Sequence, residues 1–113
     1  MEQLLNSIEA KYDKMVRFLE TLVNIDSGND CPEGVAKVAR IVGDKLQEMQ
    51  FDVEYLEYPG ACTHLLAKRK GNGDKEVMII GHMDTLFPVG TAAARPFTIK
   101  DDKAYSPCVL DMK

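Results

Sequence analysis

The run Val77-Met78-Ile79-Ile80 is the feature of this sequence that most restricts the possible folds. Four consecutive apolar residues without alternation are typical of a strand that is covered on both faces. The turn signal Gly71-Asn72-Gly73-Asp74 precedes the run, and Gly81-His82 follows it directly. The run therefore predicts a central strand in a sheet, paired as a hairpin with the segment before the turn.

Two helices are predicted upstream of this run, because the apolar residues there recur at helical spacing. The first is expected to run from about Leu4 to Asn24, with the apolar stripe Ile8, Tyr12, Met15, Leu19 and Leu22. The second follows Asp30, a candidate N-cap that Glu33 would complete as a capping box. Its predicted buried stripe comprises Val35, Val38, Ala39, Val42, Leu46 and Met49.

Period-two alternation at Phe51, Val53 and Tyr55 predicts a half-exposed strand, and residues 63–70 predict a second one. A last short hairpin is expected from residues 97–99 and 104–105 around Asp101-Asp102. Helices followed by strands indicate an α/β chain whose helices pack on a mixed sheet, in one domain over residues 1–113. Because two helices precede any parallel crossover, the pattern favours the opening of a larger doubly wound sheet.

Composition excludes several classes of function. The 14 basic and 18 acidic residues give a net charge of −4, which argues against a nucleic-acid partner. No apolar run approaches the ~20 residues that span a bilayer, and the N-terminus lacks a signal-peptide pattern, so no membrane partner is expected. The three cysteines form no CxxC pair or disulfide framework, which favours a reducing, cytoplasmic location.

His82 and Asp84 are the first candidate site residues. Ligands of open α/β sheets bind beyond the carboxyl ends of strands, where these two residues are expected to lie. Side chains at i and i+2 of an extended chain point the same way, so both can reach one site. Imidazole is a good Zn²⁺ ligand, and a nearby carboxylate can orient it. The His-x-Asp pattern alone is a weak indicator of a metal site. Its position directly after the apolar run is what favours a site here.

Asp111 is the third candidate, because it follows the apolar pair Val109-Leu110. Burying an unpaired carboxylate is costly, so a residue that enters the core here needs a partner. A metal ion is one such partner, and a carboxylate can bridge two metal ions ~3.5–4 Å apart.

The segments around these candidates form an ordered set. They read Gly81-His82-Met83-Asp84-Thr85-Leu86-Phe87-Pro88-Val89-Gly90-Thr91, Arg95-Pro96-Phe97, Asp102-Lys103-Ala104-Tyr105 and Val109-Leu110-Asp111-Met112-Lys113. The set closely resembles the zinc-dependent metallopeptidase family of glutamate carboxypeptidases, aminoacylases and acetylornithine deacetylases. The HMDT-x-FP-x-GT…RPF form is most similar to the glutamate carboxypeptidase (carboxypeptidase G) branch, and the resemblance extends over essentially the whole chain.

The resemblance implies a fold and a set of roles. The chain would be the N-terminal portion of a mixed-sheet, zinc-exopeptidase-like catalytic domain, without the family's lid domain. His82 would be a ligand of one metal ion, Asp84 a catalytic-site carboxylate that supports the metal site and orients it, and Asp111 the carboxylate that bridges two Zn²⁺ ions. The Asp111–Met112 peptide bond is implied as a candidate cis bond.

The implied reaction is hydrolysis of an amide bond next to a C-terminal, glutamate-like residue in a small peptide or N-acyl amino acid. The family's general base and remaining metal ligands lie downstream of the Asp-Met-Lys segment. We therefore expect the 113-residue chain alone to be inactive, to bind zinc weakly or not at all, and to self-associate or form a homodimer. The alternatives are a family deacylase of N-acyl amino acids and a non-catalytic binding or assembly module.

The chain departs from the family pattern before the bridging aspartate. The family has glycine on both sides of a proline there, whereas this chain has Ser106 and Cys108. If either position needs positive φ, the side chain would be strained. Arg95 is a candidate either for holding the loop or for binding a substrate carboxylate, and the first role is favoured. His64 is interpreted as a surface or hydrogen-bonded histidine.

Overall fold

The computed structural model describes residues 1–111, and the notional cis bond at Asp111–Met112 lies outside them. Its helices are α1 (Glu2–Glu9), α2 (Tyr12–Val23), α3 (Pro32–Glu48) and the short α4 (Thr91–Ala94). Its strands are β1 (Asp52–Leu56), β2 (His64–Lys68), β3 (Thr98–Lys100) and β4 (Lys103–Tyr105). Over this range, none of the helices combines the length and apolar character that crossing a bilayer requires.

The N-terminal segment forms two helices, so the prediction of one continuous helix was wrong. The break lies at Ala10 and Lys11, where the Lys11 amide donates to the Ile8 carbonyl at 3.0 Å and tightens the turn. The α1 helix buries none of its residues, so no packing holds it in line with α2. The predicted stripe is buried only at its far end, at Leu22, while Tyr12 and Met15 remain exposed.

The α3 helix begins at Pro32, one residue later than an N-cap at Asp30 predicts. Cys31 is the N-cap and Asp30 is not, and no side chain caps the helix, so the predicted capping box was wrong. The residue before a proline is disfavoured in helical conformation, which makes Cys31 the last non-helical residue before Pro32. Within the predicted stripe, the residues of the first two turns form the core with Leu22 and Val23; these are Val35, Val38 and Ala39.

Both strands predicted after α3 form, but they pair with each other. β1 and β2 are antiparallel, with Asp52 opposite Lys68 and Leu56 opposite His64. Gly60 adopts φ 77° in the connection between them, a conformation that glycine reaches without a steric penalty. The predicted hairpin between residues 63–70 and 77–80 was therefore wrong.

Residues 77–80 form no strand, which corrects the prediction of a central, covered one. Their side chains are 82–92% exposed. A strand exists only through hydrogen bonds to a neighbour, and no segment within residues 1–111 pairs with this one. In that range the sheets are two antiparallel pairs plus one parallel bridge between Gly28 and Thr85, and not the predicted mixed sheet.

The last predicted hairpin is confirmed. β3 pairs with β4 in antiparallel register, with Lys100 opposite Lys103. The two residues between them, Asp101 and Asp102, have φ 50° and 57°. Positive φ at both central residues is the conformation of the two-residue turn that matches strand twist, and aspartate tolerates it.

Candidate active site

Three residues predicted for the site lie together in the structure. The His82 ring is between two carboxylates, with Nδ1 3.3 Å from Asp84 Oδ1 and Nε2 3.4 Å from Asp111 Oδ1. The side chains of all three are partly open to solvent, at 47%, 44% and 69% exposed respectively. His82 and Asp84 lie on a loop and not at the end of a strand, because residues 77–80 ahead of them form no strand.

The contacts of the two ring nitrogens favour one tautomer of His82. Nδ1 faces two acceptors of one residue, the Asp84 carbonyl oxygen at 3.1 Å and the Asp84 carboxylate. A proton on Nδ1 satisfies both acceptors and leaves the Nε2 lone pair directed at the Asp111 carboxylate. A lone pair that faces a carboxylate is repulsive, so this arrangement requires a positive charge, either on the ring or between the two groups.

The pKa of His82 reflects the same arrangement. The hydrogen bond to the Asp84 backbone carbonyl raises the pKa of His82 above its ordinary value, and the negative charges of Asp111 and Asp84 add to the effect. Partial removal of the ring from water acts in the opposite direction.

His82 Nε2 and Asp111 Oδ1 are spaced as two ligands of one metal ion would be. Two donor atoms bound tetrahedrally to one Zn²⁺ at about 2.0–2.2 Å are separated by about 3.4 Å. The separation of 3.4 Å between His82 Nε2 and Asp111 Oδ1 matches this edge. Within residues 1–111, no cluster of three or more His, Cys, Asp and Glu residues is arranged to hold a metal. The described residues therefore supply two donor atoms for one metal ion, and Asp84 lies on the opposite side of the His82 ring.

An apolar depression of about 330 Å³ adjoins Asp111. Its walls come from the loop after the histidine and from the turn before the aspartate, namely Leu86, Phe87, Ser106, Cys108, Val109, Leu110 and Asp111. The guanidinium of Arg95 lies 5.0 Å from the centre of the Phe87 ring, within cation–π range. Arg95 thus stacks on a wall of the depression, and its part in holding the loop stays a prediction.

The family has glycine where this chain has Ser106 and Cys108, and only Cys108 has the positive φ that favours glycine. Cys108 has φ 57°, whereas Ser106 is outside the positive-φ region. The conditional prediction of strain is therefore confirmed at Cys108 alone. His64 lies on β2, where its exposed ring contacts Tyr58 edge-on at 5.9 Å, away from the three clustered residues in the sequence.

Residues 26–29 lie between the two predicted helices, and the structure joins them by hydrogen bonds to the loop that carries His82 and Asp84. Ser27 is fully buried, and its hydroxyl donates to the Met83 carbonyl at 3.1 Å. The Thr85 amide donates to the Ser27 carbonyl at 2.8 Å, and the Asn29 amide to the Thr85 carbonyl at 3.1 Å. These bonds flank Asp84 on both sides. No local sequence signal marks this segment, because Met83, the partner of the Ser27 hydroxyl, lies 56 residues further along the chain.

The chain is similar to a peptidase. It is 34% identical over 101 residues to "Carboxypeptidase G2" of Pseudomonas sp. (strain RS-16). The aligned region is 88% of this chain and 24% of that protein, so the chain spans about a quarter of the length of this relative. No family model matches the chain. The similarity supports, at a coarse level, the resemblance to carboxypeptidase G-like peptidases and an α/β, peptidase-like segment.

Proposed function

We propose that the chain is the N-terminal part of the catalytic domain of a two-zinc carboxypeptidase-like hydrolase. The complete enzyme would cleave an amide bond next to a C-terminal, glutamate-like residue. The observation that carries the proposal is the His82 ring held between Asp84 and Asp111, with a donor separation of 3.4 Å that fits one edge of a zinc site.

Each of the three residues has a separate role in the proposal. Asp84 accepts a hydrogen bond from the Nδ1–H group of His82 and so keeps the Nε2 lone pair directed at the metal position. Asp111 is 69% exposed and has a second carboxylate oxygen that can bind a second ion. When bound, the Zn²⁺ pair lowers the pKa of a bound water toward ~7 and polarises the scissile carbonyl.

The proposed zinc affinity of the 113-residue chain is weak. His82 and Asp111 give each ion at most two protein donors, whereas catalytic zinc sites use three plus water. The chain alone is also proposed to be inactive. The family's general base is implied downstream of the Asp-Met-Lys segment and is not among the residues matched here, and a positioned general base is worth ~10²–10⁴ in rate.

A second candidate function is deacylation of N-acyl amino acids. The apolar depression beside Asp111 favours it, because an acyl or aryl group is the part of such a substrate that needs an apolar surface. Both functions share the same amide hydrolysis and differ in the group that the depression holds.

The test is a Zn²⁺ titration of the chain followed by the histidine ring signals in NMR. We expect binding weaker than about micromolar, shifts confined to His82, and loss of those shifts in Asp111→Asn. The other histidine provides the matched control, since His64→Ala should leave the titration unchanged. Equal zinc affinity in His82→Ala and wild type would contradict the proposal and favour a non-catalytic binding or assembly module.

Catalysis is tested on a panel of N-acyl-glutamate and glutamyl peptide substrates with added zinc. The chain alone should give no turnover. Turnover that His82→Ala abolishes would contradict the proposed inactivity while supporting the site.

A further inference from the structure

The connection between α2 and α3 contacts the site loop at several points along its length. We define the clamp segment as Asn24–Asn29 and the site loop as residues 82–97. At one end of the loop, the clamp segment binds both sides of Asp84 through Ser27 and Asn29. At the other end, the Phe97 amide donates to Asn24 Oδ1 at 2.9 Å. The site loop is therefore attached to the clamp segment at its beginning and at its end.

Asp26 attaches the middle of the site loop. Its two carboxylate oxygens accept separate backbone hydrogen bonds, from Gly90 at 2.8 Å and from Ala92 at 2.9 Å. Hydrogen bonds to an ionised acceptor are shorter and stronger than neutral ones. Within the loop itself, regular structure is limited to the four residues of α4. The carboxylate of Asp26 thus fixes a segment that has little regular structure of its own.

The clamp segment is itself held rigidly. Ser27 and Gly28 are buried, and Gly34 of α3 lies directly against the Asp26 backbone. A Cβ on Gly34 would lie 1.8 Å from the Asp26 carbonyl oxygen, which shows how close this approach is. On the other side, a Cβ on Gly28 would lie 2.6 Å from the Phe87 carbonyl oxygen. The segment is therefore packed between the core helix and the site loop, without space for another side chain.

We propose that Asp26 and Ser27 are positioning residues of the candidate site: they set the backbone of the site loop and thereby the placement of the His82 and Asp84 side chains. The inference rests on the proposed function for its zinc component. Its structural component, that the clamp segment orders residues 83–97, stands on the hydrogen bonds alone.

The variant that tests this is Asp26→Asn. It keeps the shape of the side chain but turns one acceptor oxygen into an NH₂ donor, so it can accept only one of the two backbone N–H groups. Ser27→Ala removes the hydroxyl that donates to Met83 and serves as the second variant. The matched control is Asp30→Asn, since Asp30 is an exposed aspartate just outside the clamp segment.

The first readout is amide hydrogen exchange of the whole chain. In Asp26→Asn we expect the amides of Gly90 and Ala92 to exchange at least about tenfold faster, because hydrogen bonds to charged groups contribute more than neutral ones. The amides of Val38 and Val42 in α3 should keep their wild-type rates, as should all of these amides in Asp30→Asn. Equal acceleration in α3 and in the site loop would reveal a merely structural role and overturn the proposal.

The second readout is the Zn²⁺ titration of the His82 ring signals. Asp26→Asn and Ser27→Ala should weaken binding by about tenfold or more, the loss typical when a group that orients a metal ligand is removed. Unchanged affinity in both variants would overturn the positioning role. Should wild type show no zinc-dependent shift at all, the zinc component of this inference fails, and the exchange experiment still decides whether the clamp segment orders the site loop.

Discussion

Replacing Cys108 by glycine should stabilise the chain, even though it removes a side chain from the wall of the depression. Cys108 has φ 57°, in the region that L-residues other than glycine occupy at a cost of roughly 1–2 kcal/mol. Glycine removes this cost but loses about 0.5–1 kcal/mol more conformational entropy on folding. The net gain in the free energy of unfolding is therefore about 0.5–1 kcal/mol.

Two variants separate the backbone effect from the loss of the thiol. Cys108→Ala removes the sulfur and keeps the strain, so it should be less stable than Cys108→Gly by about 1 kcal/mol. Ser106→Gly changes the other departure from the family's glycines at a residue outside the positive-φ region, so it relieves no backbone strain. The entropic cost of glycine, about 0.5–1 kcal/mol, is offset by removal of the buried Ser106 hydroxyl, which has no hydrogen-bond partner among the described residues, so the Tm should change little.

Thermal unfolding followed by circular dichroism measures these differences. For a chain of this size, 1 kcal/mol corresponds to about 4 °C in Tm, so Cys108→Gly should melt about 2–4 °C above the wild-type chain and about 4 °C above Cys108→Ala. If Cys108→Gly melts at or below the Tm of Cys108→Ala, the backbone at this position is not strained and the reasoning is refuted.

Three further predictions concern other parts of the molecule. Asp111→Asn should lower the pKa of His82 in an NMR titration, because the negative charge of Asp111 contributes to raising it. Since the pKa is raised in the folded state, the protonated ring stabilises the fold at pH values below the unfolded pKa of about 6.5, and this stabilisation fades as the pH rises through the folded value. A free energy of unfolding that does not change with pH over this range would contradict the prediction. Ile79→Lys should reduce self-association in light scattering with no change in Tm, because Ile79 is 92% exposed in an apolar run, and a wild-type chain that is monomeric at every concentration would refute the expectation. Gly43→Ala should cost about 1–3 kcal/mol in chemical denaturation, because its Cβ would lie 2.2 Å from the Tyr55 hydroxyl, and rescue by Tyr55→Phe would verify the cause.

The parts of the fold that sequence predicts well are those decided by neighbouring residues. The turn at Asp101-Asp102 forms because aspartate tolerates positive φ, and a two-residue loop needs nothing from elsewhere in the chain. The stripe of α3 is similarly local, and so is the pairing of His82 with Asp84, which follows from a spacing of two residues.

The parts that sequence did not predict depend on distant partners. Residues 77–80 have the composition of a buried strand, but a strand also needs a hydrogen-bonding neighbour, which no composition supplies. The continuity of the first helix likewise depends on packing that α1 does not have. Asp26 could not be predicted as a site residue from local sequence, because the amides that it binds lie 64 and 66 residues further along the chain.

That separation has a consequence for the order of folding. Bringing Asp26 to Gly90 closes a loop of 64 residues, at an entropic cost of about 4 kcal/mol that must be met before the carboxylate gains its bonds. Contacts within α3 or between β1 and β2 close far shorter loops and can form first. The site loop should therefore dock after the rate-limiting transition state. Substitutions at Asp26 would then accelerate unfolding while leaving the folding rate almost unchanged, so the lifetime of the assembled site would be limited by the rate at which this late contact opens.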